Sequence, residues 1–143
     1  MDRKKRIAIF GSTGSIGTQA LQVIDAHPDI FEVEVLTAQK KGDLLIEQAI
    51  KYQPNAVVIG DEKQYEKVKS ALQNIPVKVF AGERALLEVA AWDVYDQALV
   101  AIVGFAGLQP VLAAIRQGKP VALANKETLV VAGDIVMQLA REK

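Results

Sequence analysis

Six short apolar runs, each followed by a stretch of helical period, leave this chain few ways to fold. The runs are "RIAIF" (6–10), "VEVLTA" (33–38), "AVVIG" (56–60), "VKVFA" (77–81), "ALVAIV" (98–103) and "PVALA" (120–124). Most are apolar throughout rather than strictly alternating, as strands covered on both faces require. Helix-period segments lie near 15–27, 43–53, 62–74, 83–92, 108–117 and 127–142. In the second, Leu45, Ala49 and Tyr52 share a face with Leu44 and Ile46 beside them, and the preceding Asp43 suits an N-cap. Pro28, Pro54, Gly60-Asp61, Gly82, Gly118 and Pro120 punctuate the alternation. A β-α-β-α rhythm implies crossovers, hence a doubly wound parallel sheet with helices on both faces. No repeat, low-complexity tract or linker divides residues 1–143, which read as one α/β domain.

Charge narrows the partners. Lys+Arg and Asp+Glu stand at 17 each among 143 residues, which argues against a general nucleic-acid or anionic-membrane surface. The basic run Arg3-Lys4-Lys5-Arg6 reads as a solvated lead-in to the first strand. With no cysteine and a single histidine, His27, disulfides and a Cys/His zinc site are ruled out. No apolar stretch approaches the ~20 residues of a membrane span, and nothing resembles a signal peptide. The expectation is a soluble, cytoplasmic domain with no membrane or nucleic-acid partner.

"IAIFGSTGSIGTQALQVI" (7–24) sets glycines at 11, 14 and 17, directly after a buried strand and into a helix. Glycine permits the sharp turn, the near approach of a pyrophosphate and tight strand–helix packing. The helix N-terminus adds N–H groups and partial positive charge, and Ser12, Thr13 and Ser15 add hydroxyl donors. In this strand–turn–helix setting the spacing predicts a Rossmann-type dinucleotide site.

The second strand decides which dinucleotide. An NAD site places Asp or Glu at that strand's end. Here the strand ends "VLTAQKKG", with Gln39, Lys40 and Lys41 at its tip and no acid. Glu32 and Glu34 lie at the opposite end. Two lysines in the place of a carboxylate favour a 2′-phosphate, hence NADPH.

At the far edge, "AIVGFAGLQP" carries Gly104 and Gly107 where backbone can approach a flat ring. "ALANKETL" then offers Asn125, Lys126 and Glu127, which on position alone read equally as a nicotinamide and substrate edge or as a helix cap with surface charges. Tyr65 and Lys69 have the Y-x-x-x-K spacing of short-chain dehydrogenases but sit on the helix after the third strand, where they read as solvent-facing neighbours. His27 reads as a helix-end residue favoured by the dipole. Asp61-Glu62 and Asp93/Asp96 make no metal cluster. No residue stands out as a general acid or base.

"GSTGSIG" (11–17), "AIVGFAGLQPVLAAI" (101–115) and above all "ALANKETLV" (122–130) give the chain its resemblance to the N-terminal NADPH-binding domain of the 1-deoxy-D-xylulose 5-phosphate reductoisomerase family. The resemblance implies an enzyme that converts 1-deoxy-D-xylulose 5-phosphate to 2-C-methyl-D-erythritol 4-phosphate in non-mevalonate isoprenoid synthesis. A divalent metal (Mg, Mn or Co) polarises the substrate during rearrangement, and NADPH delivers the hydride. It implies that Thr13, Gly14, Ser15 and Ile16, between Gly11 and Gly17, contact the cofactor's phosphates and adjoining ribose. Lys40 and Lys41 occupy the 2′-phosphate position, where the family often has Gly-Lys-Asn in place of Gln39-Lys40-Lys41. Asn125 and Glu127 lie along the nicotinamide half and Lys126 touches substrate. The family's acidic metal ligands, substrate-phosphate site and lid follow the last helix here, so the chain reads as a fragment, inactive alone, of a homodimeric parent. Two other readings stand beside it: a free-standing NADP(H)-binding regulatory module, and another NADP-dependent oxidoreductase such as a semialdehyde dehydrogenase, which the absence of a cysteine nucleophile opposes.

Overall fold

The computed structural model describes residues 4–102 and 108–123, with the side chains of Leu108 and Leu123 apart. Strands β1 (Lys5–Phe10), β2 (Phe31–Ala38), β3 (Ala56–Ile59), β4 (Lys78–Ala81), β5 (Gln97–Val100) and β6 (Val121–Leu123) alternate with helices α1 (Ser15–Ala26), α2 (Gly42–Tyr52), α3 (Tyr65–Ala71), α4 (Glu83–Ala90) and α5 (Leu108–Arg116). They form one sheet of order β4-β3-β2-β1-β5-β6, parallel at every pairing. The expected doubly wound α/β fold is present. Among the described residues four strands stand on one side of the reversal and two on the other, so the chain's switch point lies between β1 and β5.

Strand parity builds two cores. Ile7 and Ile9 of β1, Val57 and Ile59 of β3 and Leu99 of β5 face a layer formed by Leu21 and Ile24 of α1, Leu45 and Ala49 of α2 and Val68 of α3. Ala8 and Phe10, Val58, Phe80, and Ala98 and Val100 face the opposite layer, with Val89 and Ala90 of α4 and Val111, Leu112, Ala114 and Ile115 of α5. Burial on both faces is why these strands read as continuous apolar runs. In β2 the register slips between Ile7↔Val33 and Ala8↔Val35, leaving Glu34 as the extra residue. The bulge lets Val33 and Leu36 reach the same core despite their odd spacing.

Several boundaries differ from the sequence reading. The segment expected as one helix over 62–74 is a 3-10 turn at Glu62–Gln64 followed by α3, which ends at Ala71. Asp43 is not an N-cap: α2 begins one residue earlier, with Lys41 in the cap position and no side-chain cap. Asp43 instead lies in the first turn, beside the positive helix end, and pairs with Lys67 at 2.6 Å. Arg6 is no solvated lead-in. Its backbone N–H donates to Asp96 Oδ2 at 2.8 Å, and its guanidinium reaches both carboxylate oxygens, tying β1 to the approach of β5. His27 is exposed at the C-cap of α1. The helix expected over 127–142 lies outside the described residues, as does the end of the run expected over 98–103.

Candidate functional site

β1 ends at the switch point, and the chain must turn there to enter α1. Gly11 turns with φ +91°, and a Cβ built on it falls 2.9 Å from the backbone of Ala101, just past β5. No side chain fits there. Gly17, on the first turn of α1, lies so close to the strand end that a Cβ would sit 2.2 Å from Gly11 O. Both glycines are demanded by the protein's own packing.

Gly14 is different. It occupies the N-cap of α1 with φ −81° and ψ 179°, which any residue adopts, and a Cβ there meets nothing within 4 Å. No acidic residue stands in the first turn of α1, and no side chain caps it. The helix therefore presents backbone N–H groups and its positive end to open space, an arrangement suited to a phosphate.

That space is a cleft of about 340 Å³ bounded by Gly11, Thr13 and Gly14, the β2 tip at Thr37–Gln39, Val58 and Gly60 of the β3 end, Leu86 of α4, and Ala101-Ile102. It lies at the carboxyl ends of the strands, where open parallel sheets bind ligands. Thr13 is almost wholly buried, whereas Ser15 and Ile16 are exposed on the first turn of α1. Thr37, which sequence reasoning passed over, pins the turn: Gly11 N–H donates to its Oγ1 at 2.9 Å and Ser12 N–H to its carbonyl at 2.8 Å.

One expected phosphate donor is withdrawn from the cleft. Ser12 is completely buried, and its hydroxyl donates to Gln48 Oε1 at 2.7 Å, with Thr37 O at 3.2 Å as a second acceptor. Gln48 was also missed. It falls at the i+3 position from Leu45, inside the buried stripe of α2, and a lone amide in such a stripe is a readable signal of a buried polar partner.

Gln39, Lys40 and Lys41 come together at the β2 tip, all exposed. Gln39 lies across Gly60, where a Cβ would meet its Oε1 at 2.3 Å. Neither Lys40 nor Lys41 enters an ion pair among the described residues. Asp61 lies near Lys40, its carboxyl held below the usual carboxylate range by the Gln64 amide first and the Lys63 N–H next. Tyr65 and Lys69 stack on α3, ammonium 5.4 Å from the ring centroid, outside the residues that bound the cleft. Gly104, Gly107, Asn125, Lys126 and Glu127 lie outside the described residues.

Known proteins bear on the same residues. The family model for 1-deoxy-D-xylulose 5-phosphate reductoisomerase matches residues 7–133. The reductoisomerase of Bacteroides fragilis is 59% identical over 140 residues, covering 98% of this chain and 36% of its own length. That of Porphyromonas gingivalis is 48% identical over 139 residues, covering 97% and 36%. Among solved structures, the Zymomonas mobilis reductoisomerase in complex with NADPH superposes with a TM-score of 0.93 at 40% identity, over 98% of this chain and 37% of that one. A reductoisomerase complex with NADPH, fosmidomycin and magnesium gives 0.91 at 34% identity, over 96% and 34%. This chain spans about a third of the length of these relatives, and it belongs to the 1-deoxy-D-xylulose 5-phosphate reductoisomerase family.

Proposed function

We propose that this chain is the NADPH-binding part of an enzyme that rearranges and reduces 1-deoxy-D-xylulose 5-phosphate to 2-C-methyl-D-erythritol 4-phosphate in non-mevalonate isoprenoid synthesis. The observation that carries the reading is Gly14. Nothing in the fold requires glycine there, yet the position opens onto a cleft at an uncapped helix N-terminus. A pyrophosphate against α1 accounts for it. The lysines at the β2 tip then take the 2′-phosphate, and Val58 and Leu86 give the cleft an apolar wall against which an adenine can lie.

In this assignment Gly11, Thr13, Gly14, Ser15, Ile16 and Gly17 form the phosphate turn. Gln39, Lys40 and Lys41 form the adenosine end, Asn125 and Glu127 line the nicotinamide half, and Lys126 reaches the substrate. When bound, NADPH supplies the hydride for the reduction. The chain's own part is to orient that cofactor and keep one face toward the substrate. A divalent metal, magnesium in matching structures, acts on the substrate through residues in the portion of the family's length that this chain does not span. The whole enzyme is proposed to be cytoplasmic and homodimeric. Among the described residues, no helix is long and apolar enough to cross a membrane.

Titration of the chain with NADPH and with NADH, followed by fluorescence or calorimetry, tests the binding part. NADPH should bind at least about tenfold more tightly, the difference one well-placed charge-assisted contact supplies. Equal affinities would sink the assignment. Turnover with substrate and metal is expected of the full-length enzyme, and robust turnover by these 143 residues alone would contradict the division of labour.

A further inference from the structure

The lysine loop is held from outside by one side chain. Gln64 lies in the 3-10 turn after β3, the strand next to β2. Its Oε1 accepts the Gly42 N–H at 3.2 Å, and its Nε2 donates to Lys40 O and, at 3.3 Å, to Asp61 Oδ2. One amide thus closes on the residues before and after Lys41. Gly42 is shaped to this contact, since a Cβ there would fall 2.3 Å from Gln64 Oε1.

We infer that Gln64 is a positioning residue for coenzyme specificity, fixing the Lys40–Gly42 backbone so that both ammonium groups are presented to a 2′-phosphate. The inference rests on the NADPH reading above and extends it to a residue outside the loop itself. Lysine is a compact charge on a flexible four-carbon stem, so its side chain loses much rotamer freedom on binding. A backbone already pinned spares the ligand the further cost of ordering the loop. Asp61 completes the device by orienting the amide. Its carboxylate takes one Nε2 hydrogen, which leaves the other for Lys40 O.

The test is Gln64→Met, which keeps length and volume but removes donor and acceptor, with NADPH, NADH and 2′,5′-ADP titrated against wild type and variant. Expected is about a tenfold loss for NADPH and 2′,5′-ADP, of the size that losing these hydrogen bonds produces. NADH should stay within about twofold, because it lacks the phosphate. Gly42→Ala is the second probe, since its Cβ pushes the Gln64 amide aside while residue 64 stays glutamine, and it should give the same selective loss. It also decides the matter if Gln64→Met does not fold. An equal loss for NADPH and NADH would make Gln64 merely structural and overturn the inference. An unchanged NADPH/NADH ratio in the folded variants would overturn it too. Wild-type protein with no preference for NADPH would overturn the underlying assignment instead, and that arm is read first.

Discussion

Gln48 of α2 holds Ser12 of the glycine turn at two points: Ser12 Oγ donates to Gln48 Oε1 at 2.7 Å, and Gln48 Nε2 donates to Ser12 O at 2.9 Å. Both residues are buried, at 0% and 7% exposure. The helix that starts at the lysine loop therefore also braces the phosphate turn, so the two ends of the proposed cofactor site share one support. Replacing Gln48 by Leu strands the buried Ser12 carbonyl and leaves the hydroxyl only its longer bond to Thr37 O. The expected cost is about 2–3 kcal/mol, or a fall in Tm of roughly 3 °C for each kcal/mol. Ser12→Ala combined with Gln48→Leu should cost less than the two single changes added. A thermal-unfolding double-mutant cycle should show about 1 kcal/mol of coupling, and strict additivity would mean that the pair is not joined as described.

Gly14 and Gly17 separate fold from ligand. In Gly17→Ala the new Cβ meets backbone, 2.2 Å from Gly11 O, which no rotamer change relieves. It should destabilise by about 3 kcal/mol or prevent folding. Gly14→Ala meets nothing in the protein and should stay within about 1 kcal/mol of wild type, the modest loss of an alanine at an N-cap. Its effect should fall on NADPH, with affinity reduced about tenfold or more by a methyl group in the phosphate space. If Gly14→Ala binds NADPH normally, the pyrophosphate does not lie against Gly14.

Much of this was legible because burial leaves a strong mark on a doubly wound sheet. Each of the six apolar runs became a strand, and Leu45, Ala49 and Tyr52 did turn inward on α2. The glycine spacing was legible as a candidate site, although it could not say that Gly11 and Gly17 serve packing while Gly14 faces open space. That distinction depends on Ala101 and on the depth at which α1 seats. Ser12 was misread for a related reason: a hydroxyl in a phosphate turn looks like a donor until its neighbour is known. Gln64 gave no signal at all. Its partners in the lysine loop are backbone groups more than twenty residues away, brought near only because β3 pairs with β2.

Tyr95 makes stability fall in alkali. Its ring is completely buried edge-on to Phe10, and its hydroxyl donates to Ala90 O. Burial pushes its pKa up to about 12, from the ordinary tyrosine value of about 10. The unfolded chain ionises first, so the contribution is whole below pH ~10 and is lost as pH rises toward ~12. Denaturant midpoints should drift down across that window. Tyr95→Phe should lose about 1 kcal/mol at neutral pH with its hydrogen bond and flatten the drift. An alkaline slope unchanged in Tyr95→Phe would place its origin elsewhere.

Lys40 and Lys41 are not equivalent at the β2 tip. Lys40 precedes the helix and its carbonyl is fixed from two sides, by Gly42 N–H at 2.9 Å and by Gln64 Nε2. Lys41 occupies the cap of α2, and its carbonyl accepts Leu45 N–H at 3.0 Å. Asp61 lies near Lys40 as a counter-charge. We therefore expect Lys40→Ala to weaken NADPH about tenfold and Lys41→Ala only a few-fold, with NADH nearly unmoved by either. Because both ammonium groups are solvent-facing, their attraction for phosphate is screened by salt. The NADPH preference of wild type should thus narrow between low and high ionic strength, and Lys40→Ala should narrow it less steeply. A preference independent of salt and of both lysines would assign the recognition of the 2′-phosphate to other groups.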